Sequence, residues 1–139
     1  MNSKTSTRRE IKALLNRYRC AELQREVLIK RRKKLIAELR QTNTDPTARN
    51  RAIDEADATL TAQIQEQDSI MLEALELMAR IPAGTKERII VELRHIDGKE
   101  WPEIHRIINL TSSPCYELYN RGLDILDESL SAEGKASAP

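Results

Sequence analysis

Residues 93–126 read LRHIDGKEWPEIHRIINLTSSPCYELYNRGLDIL, and their punctuation decides the fold. Gly98 interrupts one helical pattern. Trp101, Pro102, Glu103 and Ile104 then open a short amphipathic helix. Pro102 sits in its first turn, where a missing N–H costs little. Asn109 follows Ile107 and Ile108, and Asn is the non-glycine residue that best tolerates a left-handed turn. Thr111 is placed to cap the next helix, with Pro114 still inside its first turn. In that helix Cys115, Leu118 and Leu123 are expected to face inward. Ser112, Ser113, Glu117, Asn120 and Arg121 are expected to face out. Two short helices, a tight turn and a buried stripe on each describe a helix-turn-helix.

Upstream, Ile81-Pro82-Ala83-Gly84 reads as a linker, and Thr85 to Arg88 as the start of a further helix. Its apolar face is read as Ile89, Ile90, Leu93 and Ile96. Packed behind the two-helix unit, it would complete a core with Trp101, Ile104, Ile108, Leu110, Leu118 and Leu123. This three-helix module is expected over 83–130, and a disordered tail over 131–139, which lacks periodicity.

The first half reads as two long helices. Leu14, Ala21, Leu28 and Leu35 recur every seven residues over 7–41, with Ile11, Tyr18 and Leu39 on neighbouring rows. Residues 42–46, TNTDP, break the pattern, because the residue before proline avoids the helical region. A second helix is expected over 47–80. Ile53, Leu60, Gln67, Ala74 and Ile81 lie on one heptad row, and Ile64, Met71 and Met78 on the other. The fold class expected is therefore all-α, a coiled-coil-like N-terminal hairpin over 7–80 followed by the helix-turn-helix module. A two-helix hairpin leaves apolar surface open, so a homo-oligomer is expected.

Residues 91–126 resemble the C-terminal module of sigma-70 factors (region 4). They are more closely similar to small phage and prophage late-operon regulators that join this module to an N-terminal helical region. The resemblance rests on Leu93-Arg94-His95-Ile96-Asp97-Gly98 and on Trp101-Pro102-Glu103-Ile104. It continues through Thr111, Cys115-Tyr116, Leu118-Tyr119 and Arg121-Gly122-Leu123. It implies a promoter-acting, DNA-binding transcription regulator with double-stranded DNA and RNA polymerase as partners. Three departures stand out. His105 occupies a position usually held by Ala, where a bulkier side chain would open the packing or turn outward. Ser112 and Ser113 replace a basic pair, and Glu117 replaces another basic residue.

Composition agrees with helices and against catalysis. Charged residues are 32%, aromatics 3%, and Phe is absent, which suits long helices more than sheets. His95 and His105 are ten apart, and no HEXXH, P-loop, GxGxxG or nucleophile elbow occurs. No enzyme, metal or cofactor is expected. Cys20 and Cys115 are read as reduced, partly buried thiols. The start is polar, and no apolar run approaches membrane-spanning length, so a cytoplasmic protein is expected.

Net charge is +1, but unevenly spread. Residues 1–40 carry 13 basic and 4 acidic side chains, residues 41–80 carry 3 and 8, and residues 81–139 carry 7 and 10. Such blocks pair internally or meet a polyanion. The candidate DNA-reading residues are Thr111, Ser112, Ser113, Tyr116, Asn120 and Arg121. Candidate phosphate or polymerase contacts are Lys30, Arg31, Arg32, Lys33, Lys34 and Lys99. Asp54, Glu55 and Asp57 could instead neutralise the basic run. Two alternative functions fit the same pattern, a phage DNA-packaging recognition protein of small-terminase type, or a helical interaction module that has lost DNA binding.

Overall fold

The computed structural model describes residues 3–42 and 45–136. Among them are five α-helices and no strand: α1 (Ser3–Thr42), α2 (Pro46–Met78), α3 (Lys86–His95), α4 (Trp101–Ile108) and α5 (Ser112–Ala136). The all-α class and the long pair preceding shorter helices are as the periodicity predicts. α1 starts a turn earlier than expected, at Ser3. Two of the expected turn residues, 43 and 44, lie outside the described residues. Pro46 begins α2, and Asp45 accepts the Thr47 N–H at 3.3 Å, serving the otherwise unpaired first turn.

The chain divides into two compact units, and the division differs from the one read in the sequence. One unit contains Cys20–Met71; the other contains α1 up to Arg19 together with the chain from Leu72 onward. The reason lies in the helix ends. Ile11 and Leu15 of α1 and Ala74, Leu77 and Met78 of α2 belong to the same buried cluster as the C-terminal helices. That cluster also holds Ile81, Ile90, Val91, Ile104, Cys115, Tyr119, Leu123 and Leu126. Each large apolar side chain so buried contributes roughly 1.5–3 kcal/mol.

In the Cys20–Met71 unit the two long helices run antiparallel. Arg25 meets Asp68 at 2.5 Å, while Arg32, farther along α1, meets Thr61 at 3.2 Å and Asp57 at 4.0 Å. Ala21 and Ile64 are buried there, and Leu28, Ile53, Leu60 and Gln67 are half-buried. The seam read from the heptads holds for most of its members. Leu14 and Leu35 are exceptions, each 38% exposed, and in the other unit Leu15 takes the buried place expected of Leu14.

Helix α3 begins where Thr85 Oγ1 accepts the Arg88 N–H at 3.3 Å. Its buried stripe is Ile90, Val91 and His95. Ile89, expected on that stripe, lies on the opposite side and is 39% exposed. α4 ends at Asn109, with φ 58° and ψ 48°, the left-handed geometry expected of that residue. α5 lies close against α3 at Gly122, where an added Cβ would stand 3.0 Å from Val91 Cγ2. α5 also continues through 131–136, correcting the expected disorder there; residues 137–139 lie outside the described residues. Arg80 secures this extension, reaching Glu133 at 2.6 Å and Ser129 at 3.3 Å.

Candidate nucleic-acid interface

The turn at Asn109 delivers α5 with its first turn open to solvent. Thr111, Ser112 and Ser113 are all exposed. The expected cap at Thr111 is a backbone one, its carbonyl accepting the Cys115 N–H at 3.2 Å. The Ser112 and Ser113 amides precede this first helical bond, Pro114 has no N–H, and the helix dipole is positive at this end. Cys115 and Leu123 are fully buried as expected, and Leu118 is half-buried against the core.

The remaining reading candidates fall on two sides of α5. Glu117 and Arg121 are exposed on its outer face. Tyr116 and Asn120 lie on a flank, with Asp124 one turn further. Against this flank runs the beginning of α1. Arg8 holds Asp124 with two hydrogen bonds, 2.9 and 2.8 Å long, an arrangement that raises the pKa of the arginine. Lys12 places its ammonium 5.7 Å from the centre of the Tyr119 ring. Asn16, a turn later, bonds His95 at 3.1 Å. The α1 position rises as its α5 partner falls, so the two helices are antiparallel. Asn120 is consequently half-buried rather than fully outward, at a cleft of about 380 Å³ shared with Arg8, Arg9 and Lys12.

Aromatic rings fill the adjoining space. Trp101 is half-buried, in keeping with the core role expected of it. Its ring centre is 4.6 Å from that of Tyr116 and 4.9 Å, edge-on, from that of Tyr119. The Arg94 guanidinium lies 5.1 Å over the indole, a favourable contact with the electron-rich face. His105 packs between Trp101 and Tyr116. Its half-buried ring neither opens the module nor turns fully outward, but Nε2 has no hydrogen-bond partner among the described residues. Tyr116 keeps 40% of its surface exposed, so part of it is open to a partner.

Sequence reasoning missed His95. It is 4% exposed and held from both sides, by Asn16 and by the Tyr119 hydroxyl at 2.6 Å from Nε2. Burial first, then the charges of Arg94 and Lys12, lower its pKa to about 4. Burial also pushes the Tyr119 phenol up to about 12, against a smaller opposing effect of Arg94. Both groups are therefore neutral at pH 7: Tyr119 O–H donates to Nε2, and Nδ1–H donates to the Asn16 carbonyl oxygen. The available signal was position, because His95 falls four residues after Val91 on the buried stripe.

No family model matches the chain, no curated protein does, and no solved structure does.

The other candidate contacts are dispersed. Lys99 pairs with Glu103 at 3.3 Å, which offsets its charge. In the Cys20–Met71 unit, Lys30, Arg31, Lys33 and Lys34 are exposed while Arg32 is half-buried against Thr61 and Asp57. Neutralisation by Asp54, Glu55 and Asp57 thus reaches Arg32 through Asp57, and the other four cations face solvent. Cys20 is exposed and Cys115 buried, rather than both partly buried; burial raises the Cys115 pKa. Among the described residues no cluster of three His, Cys, Asp or Glu could hold a metal ion, and no helix is long and apolar enough to cross a membrane.

Proposed function

We propose that this chain is a DNA-binding transcription regulator acting at a promoter, with the first turns of α5 as its reading element. The observation that carries the reading is the junction at Asn109. A left-handed residue joins an eight-residue helix to one whose first turn is exposed, while α3 packs behind both. A helix so presented can enter a major groove. Ser112, Ser113 and Arg121 would meet bases or phosphates, and Thr111 would lie at the groove edge. Tyr116 and Asn120 would act on the α1 side. The exposed cations of the Lys30–Lys34 run are proposed as a second contact, to DNA or RNA polymerase. A second copy of the chain is proposed to cover Leu23 and Val27, which are 63% and 39% exposed beside a groove of about 490 Å³. This reading places the protein in the cytoplasm and is compatible with a phage origin.

A binding selection on a randomised duplex pool at two salt concentrations tests the reading. An enriched motif that survives the higher salt is the expected result. Loss of all binding at both concentrations would overturn it.

Glu117 favours a second reading, that of a helical interaction module. It places an acid on the outer face of α5, where phosphates would repel it. The two readings part at Glu117→Arg. If α5 docks on DNA, affinity rises on the order of tenfold at low salt. Unchanged affinity in a fluorescence-anisotropy titration over several duplexes would favour the interaction module.

A further inference from the structure

Arg9 and Lys12 are three residues apart on α1, hence neighbours on one helix face, and both are exposed. Neither has a carboxylate partner among the described residues. They border the same cleft as Asn120, a half-buried amide on α5 that also lacks a hydrogen-bond partner among them. The carboxylate one turn along, Asp124, is already neutralised by two bonds from Arg8. Lys12 is steered toward α5 by its position over the Tyr119 ring. Two cations and an amide donor thus converge on a gap whose adjacent acid has been silenced.

We propose that this cleft between α1 and α5 is a phosphate-binding site, with Arg9 and Lys12 supplying charge and Asn120 a directed N–H donor. Arginine matches two phosphate oxygens at once, lysine acts as a point charge, and the amide fixes orientation. The site supplies what α5 lacks at Ser112, Ser113 and Glu117. A DNA backbone phosphodiester and free inorganic phosphate offer the same oxygens. The backbone is the source assigned here, a step that rests on the proposed DNA-reading role. α1 would then be part of the interface rather than only an arm.

The test compares the full chain with Arg9→Gln, Lys12→Gln and the double variant. Both side chains are exposed, so melting curves should be little changed. Affinity for a short DNA duplex is measured across a salt series. In parallel, the Asn120 side-chain amide is followed by NMR while inorganic phosphate is added against matched chloride. Each substitution is expected to lower the slope of log K against log salt by about 0.9, and the double variant by about twice that. If the duplex binds with unchanged slopes and phosphate leaves Asn120 unmoved, the cleft is not the site, though DNA reading survives. If the duplex does not bind but phosphate shifts Asn120 in the parent and not in the double variant, the site stands for free phosphate and DNA reading falls. No response to either probe removes both.

Discussion

Replacing Leu15 by alanine is expected to destabilise the protein by about 2–5 kcal/mol, whereas the same change at Leu14 costs about 1 kcal/mol or less. The two leucines are adjacent, yet Leu15 is fully buried and Leu14 is 38% exposed. Leu15 packs into the cluster formed with α2, α3, α4 and α5. Its truncation leaves a cavity lined by side chains from several helices, which cannot all relax into it. A domain of this size has only about 5–15 kcal/mol in total. Urea unfolding of the two variants at matched m-values decides the matter. A larger loss at Leu14 would mean that the heptad row read from the sequence, and not the observed stripe, faces the core.

Acid should act through His95. The neutral ring is locked between Asn16 and Tyr119, and its pKa falls from an ordinary 6.5 to about 4. In the unfolded chain it takes up a proton below about pH 6.5. Between that pH and about 4 the unfolded state therefore binds more protons than the folded one. Stability falls across this window as pH is lowered. The ceiling on the loss is about 3 kcal/mol for this shift. Above pH 6.5 both states hold the ring neutral and the contribution is flat. His95→Gln retains an amide between Asn16 and Tyr119 but cannot titrate, so its stability curve should run flatter over the same window. Parallel curves for parent and variant, measured by chemical unfolding at several pH values, would exclude His95 as the origin.

Both predictions depend on the same feature, the docking of the start of α1 against the C-terminal helices. Local signals did not disclose it. A seven-residue repeat makes Leu14 and Leu15 compete for one seam, and only the partner surface chooses between them. Leu15 wins because α1 there meets several helices, not α2 alone. The same docking explains Asn120, read as outward on α5 and found half-buried beside Arg8, Arg9 and Lys12. It also explains His95, whose Asn16 partner lies 79 residues away.

What the sequence determined by itself was punctuation and face. Thr85 begins α3, Pro102 sits in the first turn of α4, and Asn109 turns left-handed because each answers to its own backbone geometry within one helical turn. Cys115 and Leu123 point inward because a helix repeats every 3.6 residues whatever surrounds it. The tertiary structure alone decided which helix each face meets. Apolar burial is non-directional and carries no address, so Ile11 and Leu15 could equally have continued a separate hairpin. Shape and side-chain pairing supplied the address: Arg8 on Asp124, Asn16 on His95, and the close approach of α5 to α3 at Gly122.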